Sequence, residues 1–228
     1  MSTPAPSALP SDGAPAPGDA AGGGKRARTK LQNRNAILGA ARAVFAELGY
    51  EAASVRDIIG RTGLASGTFY NYYRSKEEIA AAVAADAALR LQPLLRRERE
   101  QSHDFKGYLD GIVRAYFRFL VDEQQALPTP RPLAERRPRI RVQTPAHHAI
   151  ADEVRSAIAL AVERGLAPRV DVDYLTAAVI GIAREIGDRM LLRQPLDPDG
   201  AAAFAVDLIL RGLPGLSPDT GQSSRSSP

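Results

Sequence analysis

The segment from Ser54 to Lys76 reads SVRDIIGRTGLASGTFYNYYRSK and gathers short, hydrogen-bonding side chains at Ser66, Gly67, Thr68, Tyr70, Asn71 and Tyr72. Hydroxyl and carboxamide groups donate to phosphate oxygens or read base edges, and small residues let a backbone come close to DNA. Other chemistry is hard to find. No nucleophile, base and orienting group fall into a catalytic pattern, so no enzyme is expected. Ser66 lies one place too late for a Gly-x-Ser-x-Gly elbow, and no strand precedes it. Gly24-Lys25 fails the phosphate-loop pattern, with Asp19 where a glycine is needed and Arg26 where Ser or Thr is needed. Cysteine is absent, and His147 and His148 are neighbours that cannot share a helix face. With only His103 besides, neither a metal site nor a cofactor is expected.

Charge is unevenly distributed. Lys25 to Lys76 holds ten Lys or Arg against Glu47, Glu51 and Asp57, whereas Glu77 to Leu216 holds 19 basic and 20 acidic residues. A local basic excess is the footprint of a polyanion-binding surface; a plain solvated basic surface is the alternative. No stretch approaches the ~20 apolar residues that span a bilayer, and the start of the chain lacks the pattern of a secretory signal. A cytoplasmic protein without a membrane partner is the expectation.

The elements that must position these groups read as helices. Residues 1–24 are nearly all Ala, Pro, Gly, Ser and Asp, and residues 217–228 are similar, so both are read as disordered tails. Ile37, Ala41, Val44, Phe45 and Leu48 form an amphipathic stripe that Gly49 stops. Ser54 and Asp57 form an acidic capping box, and Gly63 ends that short helix. A second short helix runs over about 66–72. Ser75 and Glu78 open a longer one, which Pro93 should kink or end. Phe105, Leu109, Ile112, Tyr116, Phe119 and Leu120 mark the next helix. Residues 128–145 carry five prolines and read as loop or broken helix; Thr144-Pro145 then starts a helix that ends at Gly165. Leu175, Val179, Ile182, Ile186 and Met190 form a further stripe, and Asp197-Pro198 opens a last helix that stops near Gly212. The fold class is all-α.

Helix 1 followed by GLASGTFYNYYRSKEEI resembles the TetR/AcrR family of bacterial regulators, most specifically in its Gly-Thr-Phe-Tyr-x-x-Tyr-x-Ser-Lys spacing. DVDYLTAAVIGIAREIGDRM and DPDGAAAFAVDLILRGL resemble that family's last two helices more loosely. The resemblance implies a helix-turn-helix domain over 25–75 and a ligand-binding and dimerisation domain over 76–216. It implies that Tyr70 and Lys76 contact phosphate, and that Arg56, Ser66, Thr68 and Asn71 face bases or backbone. A basic arm over Lys25–Arg28 would enter the minor groove or merely add nonspecific attraction. Ala65 departs from the capping serine common in the family, and Thr62 from its usual alanine. Phe69 is expected in the core. Tyr108, Tyr116, Phe119 and His147 are candidates for an effector pocket, with plain core filling as the alternative for the aromatics. Ile182, Ile186, Met190, Phe204, Leu208 and Arg211 are candidates for a dimer interface. Arg131, Arg136, Arg137, Arg139 and Arg141 form a charge run, expected to be solvated. The implied function is repression of transcription by a homodimer on double-stranded DNA, relieved by an unidentified small-molecule effector. An effector-independent DNA-binding dimer, an activator, and a helical carrier or enzyme are the rival readings.

Overall fold

Apolar residues recur at helical spacing along nearly the whole chain, and the architecture follows from that. The computed structural model describes residues 19–126, 133–136 and 144–212. Among them are eight α-helices and no strand: α1 (Asp19–Leu48), α2 (Val55–Thr62), α3 (Ser66–Tyr70), α4 (Lys76–Gln101), α5 (Phe105–Gln125), α6 (Pro145–Glu163), α7 (Val172–Met190) and α8 (Pro198–Gly212). A single 3₁₀ turn, Leu133–Arg136, lies between α5 and α6.

Two apolar cores result. The smaller joins Ile37, Ala41, Val44 and Phe45 of α1 to Ile58 of α2, Phe69 of α3, and Ile79 and Ala80 of α4. The larger joins Leu91 and Leu95 of α4 to α5, α6, α7 and α8, with Phe117, Leu109, Leu120 and Ile158 fully enclosed. Helix α4 therefore serves both cores, and a boundary at residue 75 would cut through the smaller one. Helix α5 is the central member of the body. On it Leu120 and Phe117 meet α7 at Gly187, where a methyl group would lie 2.6 Å from Leu120 Cδ1. Only a residue without a side chain allows that approach.

Several starts and stops follow the expected signals. Ser54, Ser75, Asp104, Thr144 and Asp171 each accept a hydrogen bond from the backbone N–H three residues on, satisfying a donor that the first helical turn leaves free. Three features differ from expectation. Helix α1 begins at Asp19, so residues 19–24 are helix rather than tail. Pro93 neither ends nor interrupts α4. The carbonyl it leaves unpaired belongs to Leu89, which is exposed to water, while Leu91 and Leu95 are held in the core on either side. Arg136 is not solvated but 7% exposed, its guanidinium donating to the carbonyls of Glu123 and Gln124 at the end of α5. The other members of that charge run, and the expected tails over 1–18 and 217–228, lie outside the described residues.

Candidate nucleic-acid interface

The interface is built on a short, tightly fastened turn. Ser54 Oγ accepts from the Asp57 N–H at 3.2 Å, and the Asp57 carboxylate accepts from the Ser54 N–H at 2.9 Å and its hydroxyl at 2.6 Å. The Ser54 hydroxyl first, then its amide, hold the Asp57 carboxyl below the usual range. Gly63 closes α2 with φ 68°, a left-handed conformation that a side chain would strain. The Thr62 hydroxyl then donates to the Ile59 carbonyl at 2.8 Å and accepts from the Leu64 N–H at 3.1 Å. This brace at the position of the family's alanine was not legible from spacing. Ala65 caps α3 with no side-chain hydrogen bond. The first turn of α3 is fixed instead by Phe69, which is fully buried as expected, its ring meeting Tyr70 edge to face.

With Phe69 inward, the opposite side of α3 is presented to solvent. Ser66, Gly67, Tyr70 and Asn71 are exposed, Thr68 and Tyr72 are half-buried, and Arg56 is exposed on α2. Thr68, Asn71 and Tyr72 share an open cleft of about 660 Å³ with Lys25, Arg26, Thr29 and Lys30 of α1. The structure thus sets Thr68, Asn71 and Tyr72 beside the start of α1; Ser66, Gly67, Tyr70 and Arg56 stand outside that cleft. Some cations of the basic segment are already committed. Arg61 grips Glu47 through two bonds of 2.5 and 2.8 Å, and Arg42 pairs with Asp86. Lys25, Arg26 and Lys30 have no carboxylate partner among the described residues, whereas the Arg56 charge acts on the neighbouring Asp57 carboxylate.

Lys76 is placed differently from a simple phosphate contact. Its ammonium donates to the carbonyls of Tyr50 at 2.9 Å and Glu51 at 3.1 Å, and it lies 4.5 Å from the centre of the Tyr50 ring. Tyr50 in turn donates its N–H to the Glu135 carbonyl at 3.0 Å. Lys76 therefore fastens the α1–α2 connection to the start of α4.

Tyr108 and Phe119 are buried, and Tyr116 packs against the body core. The Arg90 guanidinium lies over the Phe119 ring at 5.6 Å. His147 Nδ1 is 2.7 Å from the Thr144 hydroxyl, within the cap of α6. These four line neither the basic cleft nor the polar groove between α4 and α5. Burial, and then the charge of Glu153, push the Tyr108 phenol upward, with Arg99 opposing. Glu153 Oε1 is buried 3.6 Å from Arg99 and 3.8 Å from Arg96, with no hydrogen-bond partner among the described residues.

The interface candidates divide. Met190 is 3% exposed and belongs to the larger core of the chain itself, and Ile182 and Ile186 are half-buried against that core. The buried line on α7 is Leu175, Val179, Ala183, Gly187 and Met190, so Met190 is withdrawn as an interface residue. Phe204 and Leu208 are exposed, and Arg211 is exposed and paired with Asp207.

Residues 37–83 match the family model described as "Bacterial regulatory proteins, tetR family". The chain is 33% identical over 88 residues to the HTH-type transcriptional regulator YvdT of Bacillus subtilis (strain 168), covering 39% of this chain and 44% of that protein. It is 30% identical over 106 residues to the HTH-type transcriptional activator FasR of Mycolicibacterium smegmatis, covering 45% and 48%. The chain thus spans about half the length of these relatives. The fold is similar to that of the transcriptional regulator FadR from Bacillus subtilis, solved in complex with stearoyl-CoA, with a TM-score of 0.61 at 19% identity over 78% of this chain and 97% of that one. The relatives are transcription regulators rather than enzymes. Residues 37–83 thus carry the pattern of the N-terminal region of the tetR family of bacterial regulatory proteins.

Proposed function

We propose that this protein is a sequence-specific regulator of transcription that binds double-stranded DNA as a homodimer, and that a small-molecule effector bound in the body releases it. The observation that carries this reading is the exposed hydrogen-bonding face of α3, held on a braced turn beside cations that have no carboxylate partner among the described residues. Arg56 and Asn71 are the base readers in this reading, because guanidinium and carboxamide groups make two-point contacts with guanine and adenine. Ser66, Gly67, Thr68, Tyr70 and Tyr72 approach the backbone. A dimer is supported by the outer faces of α7 and α8, where Tyr174 is 78% and Phe204 64% exposed, with Leu208 beside them on α8. Two such helices from each protomer make a four-helix interface about a two-fold axis. To meet successive major grooves, the dimer would hold its two recognition helices about 34–36 Å apart.

The effector reading is supported by the cluster in which the buried Tyr108 and Glu153 meet the exposed Arg96 and Arg99 at the edge of the α4–α5–α6 layer, and by the complex of the similarly folded FadR with stearoyl-CoA. Because α4 is shared by both cores, a ligand that favours another α4 position would change the separation of the recognition helices and weaken DNA binding by its differential affinity. Repression follows where the site overlaps a promoter.

The test is a selection of genomic fragments with the purified chain, followed by sedimentation of wild type and Leu208→Asp. An imperfect palindrome should emerge, and the charge placed on α8 should give monomers that no longer hold both half-sites. Enrichment of no sequence overturns the DNA-binding reading. A monomeric wild type at micromolar concentration overturns the dimer.

A further inference from the structure

The start of α1 overhangs its own domain. Every residue from Lys25 to Gln32 is exposed, and the first buried residue of the helix is Ile37. At 1.5 Å per residue the stretch from Arg26 to Ile37 is about 16 Å of helix outside the core. Its inward face is unusual. Helical periodicity places Arg26 and Lys30 on the line that continues as Ile37, Ala41 and Val44, with Thr29 beside it, Lys25 further round the helix and Arg28 on the opposite side. Where that line meets α2 and α4 it is apolar and buried. Where it passes the edge of the domain it turns cationic, and it borders the cleft shared with Thr68, Asn71 and Tyr72. Three of the four cations between residues 25 and 32, namely Lys25, Arg26 and Lys30, border the cleft that the recognition helix lines.

We propose that this overhang is a phosphate clamp, in which Lys25, Arg26 and Lys30 engage the DNA backbone bordering the groove that α3 occupies. One strand would run through the cleft between them and Thr68, Asn71 and Tyr72. The geometry argues against an arm threaded into the minor groove. A helix with its side chains is about 10–12 Å across, whereas that groove is about 6 Å wide. The helix therefore lies over the backbone and positions the protein without reading bases. The clamp rests on the DNA-binding reading given above, and extends it to a second element outside the helix-turn-helix.

The test compares the full-length wild type with K25A/R26A/K30A on two duplexes, a selected site and a scrambled sequence, across a salt series. Alanine favours helix, so the variant keeps α1, and circular dichroism with the unfolding midpoint checks this. Each phosphate that the variant leaves unneutralised should lower the slope of log affinity against log salt by about 0.9, equivalent to about eightfold in affinity at 0.1 M salt. The weakening should be equal on both duplexes, and hydroxyl-radical protection should disappear from the sugars flanking each half-site. K25R/K30R should retain slope and protection. A folded triple variant with unchanged slope and footprint overturns the clamp while leaving DNA binding by α3 intact. A weakening confined to the selected site also overturns it, because it would mean base reading. A wild type that binds no duplex overturns both readings together.

Discussion

Replacing Lys76 by methionine separates two roles that the same residue could serve. The stem packs almost unchanged, but the ammonium bonds to the Tyr50 and Glu51 carbonyls disappear, as does the cation over the Tyr50 ring. A hydrogen bond from a charged donor contributes about 1.5–3 kcal/mol net, and an exposed cation over an aromatic ring about 0.5–1 kcal/mol. Lys76 is only half-buried, so water competes for the ammonium and the low end applies. The expected loss of folding stability is about 2 kcal/mol, nearly thirtyfold in the unfolding equilibrium. Urea unfolding of both proteins at one concentration measures it, with any association contributing alike. The salt slope for duplex binding should stay as in the wild type, because the ammonium is already occupied. A stability loss below about 0.5 kcal/mol, with a slope lower by about 0.9 per protomer, would refute the tether and return Lys76 to a phosphate.

Gly187→Ala should lower the unfolding temperature: crowding against Leu120 and Phe117 costs about 1–3 kcal/mol, more than the ~1 kcal/mol that alanine recovers in helix propensity. A rise instead would mean that α7 can move off α5. Ser54→Ala should cost about 1 kcal/mol of stability near neutral pH by removing the α2 cap. Asp57 is held below its ordinary 3.8, so its contribution is complete above that value and is lost as pH falls through the lower folded value. The gap between wild type and variant should therefore narrow in acid, and a pH-independent gap would contradict the box. Tyr108 is raised in the folded state, so its contribution is complete below the ordinary 10.0 and declines as pH rises beyond it. In an alkaline absorbance titration, Tyr108→Phe should therefore leave the amplitude before unfolding unchanged and reduce only the amplitude released on unfolding; a smaller amplitude before unfolding would count against its burial.

Local pattern carried much of this protein. The stripe from Ile37 to Phe45, the Ser54–Asp57 box, the left-handed Gly63 and the caps at Ser75, Thr144 and Asp197 are short-range features, each decided within one or two helical turns. Phe69 was legible as core because its neighbours are polar or small and one large apolar side chain must anchor so short a helix. Tertiary structure decided what depends on distant partners. Lys76 found two carbonyls some 25 residues earlier in the chain. Arg136 found the end of α5, and Met190 turned inward because Gly187 brings α7 against Phe117 and Leu120. Pro93 was tolerated because the carbonyl it leaves unpaired belongs to the exposed Leu89, while two leucines are clamped in a core built by other helices. The start of α1 looked like a tail from composition, since an exposed helix leaves no apolar stripe to detect. Its cations come to lie beside α3 only because residues 37–45, far along the same rigid rod, are packed against α2 and α4 and so fix the direction in which the rod points.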